Sequence, residues 1–102
     1  MSWKSALAKN VRELRIHLSS NPETSPGSKG TRDFILNHYA SIKAANPQLP
    51  VLIREAPGIH ARVMARYAFG VERNIKLENL TEAEVESQIK LLAQTKPSST
   101  EA

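Results

Sequence analysis

The chain has 102 residues, a length that suits one domain built on one core and needs no metal or disulfide staple. It contains no cysteine, which excludes a disulfide framework, a thiolate nucleophile and cysteine-ligated zinc. Fourteen basic against ten acidic side chains give a net charge of +4, carried by residues 1–56, where eight Lys/Arg face four acids; the remainder holds six of each. Such a bias permits an acidic protein partner or a phosphate backbone without choosing between them.

The start, "MSWKSALAKN", is basic and acid-free but has no apolar secretory core; it reads as a ragged N-terminus, a mitochondrial-type targeting role being the other reading. "VRELRIHL" alternates Leu14, Ile16 and Leu18 with Glu13, Arg15 and His17, the period of a strand. The polar stretch "HLSSNPETSPGSKGTRDF" then leads into a helix over Thr31 to Asn46, with Phe34, Ile35, His38, Tyr39, Ile42 and Ala45 on one face. Ser28 or Gly30 is its candidate cap, and Pro47 stops it.

"LPVLIRE" carries the continuous apolar run Val51 to Ile53, the pattern of an interior parallel strand covered on both faces. "APGIHARV" opens on a turn signal and has room for a short helix. "VMARYAFG" alternates Ala65, Tyr67 and Phe69 with Met64, Arg66 and Ala68, a further strand; Gly70 to Asn74 turns the chain into a last short strand, "IKLEN". Phe34, Tyr39, Tyr67 and Phe69 are all expected in the core. "TEAEVESQIKLLAQ" combines a capping box, Thr81 with Glu84, acidic residues in the first turn, and an apolar stripe of Val85, Ile89 and Leu92; it predicts a helix to about Thr95. "KPSSTEA" is a polar tail, expected to be disordered.

The expected fold is α/β and thioredoxin-like, a mixed four-stranded sheet flanked by helices in the order β-α-β-(short α)-β-β-α. Its expected parts are an N-terminal extension over 1–10, the domain over 11–95 and the tail over 96–102. No apolar run reaches the roughly 20 residues that span a bilayer, so no direct membrane insertion is expected.

Catalytic, cofactor-binding and metal residues are all expected to be absent. Ser19 and Ser20 cannot shuttle electrons, and His17 near Ser19 lacks the strand elbow of a serine nucleophile. "GSKGT" fails as a phosphate loop because Gly30 separates Lys29 from Thr31. His17, His38 and His60 have no metal-ligand spacing, and Glu82, Glu84 and Glu86 are accounted for by the helix dipole. What remains is a group of charges at strand ends, Arg54 and Glu55, Arg62 and Arg66, with Tyr67 beside them. Arginine with tyrosine is enriched in interface anchors, so these five are the candidate protein interface, with Arg66 and Tyr67 first.

Four ordered blocks, "ELRIHL", "PGSKGTRDFI", "NPQLPVLIRE" and "ARYAFG", resemble a family of small accessory subunits of mitochondrial respiratory complex I, within the ribosomal protein/NADH dehydrogenase domain family. The resemblance spans about Val11 to Thr95. It implies a thioredoxin-like fold, no catalytic step and no cofactor. The implied place is peripheral, on the matrix side of the inner mitochondrial membrane, in the NADH-oxidising module against the largest iron–sulfur subunit. Family members can carry cysteines where this chain has Ser19 and Ala56, so a thiol-based role proposed for relatives cannot operate here. The alternative is a mitochondrial ribosomal protein of the same domain family that binds rRNA or ribosomal partners; nucleic-acid binding is the less expected of the two.

Overall fold

Alternation in the first strand decides which way the sheet faces. In a computed structural model, which describes residues 3–21 and 25–94, β1 (Val11–Ser19) buries Leu14, Ile16 and Leu18 and turns Glu13, Arg15 and His17 the other way. It pairs in parallel with β2 (Val51–Ala56) and antiparallel with β3 (Arg62–Tyr67), which in turn pairs antiparallel with β4 (Glu72–Lys76). The sheet order is β2-β1-β3-β4, so the expected mixed four-stranded α/β sheet is present.

Three helices, α1 (Trp3–Asn10), α2 (Lys29–Ala45) and α3 (Glu82–Gln94), pack on one another over the face that carries Leu14, Ile16, Leu18, Val63, Ala65 and Tyr67. Phe34 of α2, Leu7 of α1, and Val85, Ile89 and Leu92 of α3 fill the layer between them, each almost fully buried. Burial of a side chain of this size is worth about 1.5–3 kcal/mol relative to exposure. The opposite face of the sheet carries no helix among the described residues.

Several elements differ from the sequence expectation for identifiable reasons. The basic start forms α1, because Leu7, fully buried, seats against the core, and Asn10 Nδ2 donates to the Ala93 carbonyl at 2.9 Å. β2 lies at a sheet edge and is only half-covered, since Leu52 faces the helix-free side; an apolar run alone does not say whether both faces are covered. Residues 57–61 make a turn with Gly58 at φ 72, not a short helix. β3 stops at Tyr67, so the last strand begins at Glu72 instead of Ile75. The tail over 96–102 lies outside the described residues.

Caps fix the helix ends. The Thr81 amide donates to Glu84 Oε1 at 3.0 Å, and the Glu84 amide donates to Thr81 Oγ1 at 3.2 Å, the reciprocal capping box. At the far end of α2, buried Asn46 clamps two helices: Oδ1 accepts from the Ala8 amide at 3.1 Å, while Nδ2 donates to the Lys4 and Ile42 carbonyls at 2.7 and 2.9 Å. Asn46→Ala removes all three bonds and is expected to cost about 2 kcal/mol, read as a lowered urea midpoint. A loss no larger than that of an exposed alanine substitution would show that water replaces the clamp.

Candidate functional site

Hydrogen bonds tie the described residues of the polar stretch between β1 and α2 to their neighbours. The Ser28 hydroxyl accepts from the buried Ser19 amide at 3.1 Å, and Ser19 Oγ accepts from the Asn21 amide at 3.3 Å. Arg32 reaches back from α2 to donate to the Ser19 carbonyl and pairs with Glu55 at 3.0 Å. Ser28 therefore sits at the cap position of α2 with its hydroxyl engaged elsewhere. A cleft of about 320 Å³ does open where α2 and α3 begin, but Asp33 and Glu82 line it, which disfavours an anion. Ser19 and Ala56 stand opposite one another in the register of β1 with β2.

His38, on α2, is a packing residue. Its ring stacks on Phe34 at 4.7 Å between centroids, Nδ1 lies 2.9 Å from Lys4 Nζ, and Nε2 lies 3.4 Å from Glu82. It thereby joins all three helices.

The uncovered sheet face holds the remaining chemistry, and register orders it into rows that cross the strands. One row is Glu13, Arg66 and Glu72, in which Arg66 lies 3.8 Å from Glu13 and 3.4 Å from Glu72. The next is Leu52, Arg15, Met64 and Asn74, with Arg15 3.1 Å from Glu13. The third is Arg54, His17, Arg62 and Lys76. Among the described residues, Arg54, Arg62 and Lys76 form no ion pair. The pKa of His17 is lowered, first by burial and then by the guanidiniums of Arg62, Arg15 and Arg54, which favours the uncharged ring. A cleft of about 430 Å³, lined by His17, Gly58, Ile59, His60 and Arg62, opens at the end of this row.

Of the five interface candidates, three meet here: Arg54, Arg62 and Arg66. Glu55 points to the helix side, held by Arg32. Tyr67 does too; it is buried, its hydroxyl donates to the Leu92 carbonyl at 2.9 Å, and the Arg73 guanidinium lies 5.6 Å from its ring. Arg66 and Tyr67 are neighbours in sequence and therefore point to opposite faces.

Phe69 and Tyr39 were expected in the core. Tyr39 is more than one-third exposed, whereas Phe69 is 99% exposed at the tip of the β3–β4 turn with φ 63. A bulky side chain in the left-handed region is strained. The turn demands it: the Tyr67 amide donates to the Val71 carbonyl at 2.7 Å, and both Phe69 and Gly70 take positive φ to close that loop. Phe69→Asn is expected to raise the stability of the isolated chain by about 0.5–1 kcal/mol, seen as a higher thermal midpoint. A lowered midpoint would show that the ring is held by contacts.

The chain thus presents a four-stranded mixed sheet covered by helices on one face, with charged residues displayed on the other. Residues 31–82 match the mitochondrial ribosomal protein L51 / S25 / CI-B8 domain, and the chain belongs to that family. It is 42% identical over 85 residues to a protein of Arabidopsis thaliana named NADH dehydrogenase [ubiquinone] 1 alpha subcomplex subunit 2, covering 83% of this chain and 84% of that one. A Mus musculus protein of the same name is 48% identical over 75 residues, 74% of this chain and 73% of its own. The NADH-ubiquinone oxidoreductase 10.5 kDa subunit of Neurospora crassa is 36% identical over 92 residues, 90% of this chain and 95% of its own.

Proposed function

We propose that the chain is an accessory subunit of mitochondrial NADH:ubiquinone oxidoreductase, complex I, without an active site of its own. The observation that carries this reading is the likeness, over most of their lengths, to three proteins named as subunits of that oxidoreductase. The finer placement proposed with it is peripheral on the matrix side of the inner membrane, in the NADH-oxidising module, against its largest iron–sulfur subunit. No helix among the described residues is long and apolar enough to cross a membrane, which is compatible with a peripheral place.

The role is stabilisation or assembly of that module, with Arg54, Arg62 and Arg66 on the uncovered face as contacts. Binding to a ribosome finds less support, since the curated relatives carry oxidoreductase names.

The test is to tag the chain at its C-terminal end, solubilise mitochondria gently and follow it on native gels with mass spectrometry. Comigration with NADH-oxidising subunits is expected. Recovery with ribosomal proteins, or normal assembly and NADH oxidation in a strain lacking the chain, would overturn the reading.

A further inference from the structure

We infer that the cross-strand row of Arg54, His17, Arg62 and Lys76, with the His60 cleft at its end, is a docking site for a carboxylate-bearing segment of a partner protein. This rests on the accessory-subunit reading and specifies the chemistry of its contact.

Like charges placed directly opposite one another across strands destabilise a sheet. The other rows avoid the problem: Glu13 and Glu72 flank Arg66 within 4 Å, and Arg15 leans on Glu13 beside Leu52, Met64 and Asn74. Only the third row lines up three cations and an imidazole over all four strands with no carboxylate in register. Burial is the first cause of the lowered pKa of His17, and the guanidiniums of Arg62, Arg15 and Arg54 add to it.

No carboxylate among the described residues pairs with this row, whose three cations are exposed. Strand spacing of about 4.8 Å puts the two arginines roughly 10 Å apart with His17 between them. Carboxylates at i and i+7 of a helix, two turns apart, recur at about 10 Å and reach Arg54 and Arg62 together. The guanidinium forks of Arg54 and Arg62 suit bidentate carboxylate pairing. Half-buried Leu52, Met64 and Ile59 border the row and supply the apolar area that a protein contact needs.

A polynucleotide fits less well. Glu13 and Glu72 on the same face repel a phosphate backbone, and no Phe, Tyr or Trp of the four strands points out of it to stack on bases.

The test uses the full chain and two readouts. In cells lacking their own copy, tagged wild type, the double variant Arg54→Glu/Arg62→Glu, and Lys90→Glu, an exposed charge on α3, are compared for recovery with NADH-oxidising subunits. Wild type and Lys90→Glu are expected to be recovered equally, and the double variant at under a tenth of that level while keeping its unfolding midpoint. Separately, a fluorescein-labelled glutamate-rich dodecapeptide and a single-stranded RNA of mixed sequence are titrated against the purified proteins. The peptide is expected to bind wild type at least tenfold more tightly than the double variant, and to weaken as salt rises.

Equal recovery of the double variant, equal peptide affinity, or tighter binding of the RNA than of the peptide would overturn the site. Failure of wild type itself to accompany the oxidoreductase would overturn the accessory-subunit reading, and the peptide titration would then judge the row by itself.

Discussion

Phe34→Ala is expected to destabilise the fold by about 4 kcal/mol and to lower the thermal midpoint by about 20 °C. The ring is 1% exposed and lies between two others, Trp3 with centroids 6.4 Å away and His38 at 4.7 Å. Alanine removes the stacking partner of both rings and leaves a hole where α1 and α2 meet, because the backbone of a packed helix relaxes only partly into such a space. The loss should be transmitted to α1, whose Trp3 then has no stacked neighbour; tryptophan fluorescence would report a wetter ring even below the unfolding midpoint. Phe34→Leu keeps most of the volume and should recover most of the stability. A loss under about 1 kcal/mol for the alanine variant would mean that the helical layer closes over the gap.

Gly30→Ala should cost about 3 kcal/mol, although helix propensity alone predicts the opposite sign, a gain of up to about 1 kcal/mol for alanine within a helix. A Cβ at this position would stand 2.0 Å from the Leu80 carbonyl oxygen, 2.8 Å from the Thr81 carbonyl carbon and 2.9 Å from that of Leu80. All three are backbone atoms, so no side chain can swing aside. The first turn of α2 must separate from the segment that leads into α3, and the capping box of α3 is strained with it. Urea unfolding of the pure protein measures this directly. A midpoint above that of wild type would show that propensity outweighs the clash.

How much of this could be seen in advance depends on whether the deciding interaction is local. The capping box of α3 and the alternation of β1 are settled by residues within one or two turns or a few strand positions, and both elements formed as their sequences imply. The helix α1 is different: "WKSALAKN" has weak amphipathic character, and what holds it is contact with Asn46 and with α3, which lie far away in the sequence. Asn46 reads as a residue restricted by the following proline, and nothing nearby reveals that its side chain joins two helices. Phe69 continues the alternation of β3, but the turn is closed by a hydrogen bond from Tyr67 to Val71 that ends the strand two residues earlier.

The site follows the same division. Arg54, Arg62 and Arg66 stand out because they interrupt apolar runs at strand ends. Their assembly into one face, and the exclusion of Tyr67 and Glu55 from it, depends on strand parity and register, which pairing fixes. His17 and Lys76 enter the row only because β1 and β4 align them with Arg54 and Arg62; read singly, each is an ordinary polar strand residue.

The bond from Asn10 to Ala93 spans almost the whole chain, and α1 packs against α3. Closure of the core therefore waits for α3: α1 meets one of its principal partners only after that helix has been made. Contacts of such long separation slow folding, because the entropy of closing the intervening loop must be overcome before they can form. A nascent chain stopped short of α3 therefore leaves Leu7, Phe34 and Tyr67 without that helix's cover, whereas the folded chain buries all three. Truncation that removes α3 should accordingly be a signal for degradation, and docking of that helix becomes the checkpoint on the fold's quality.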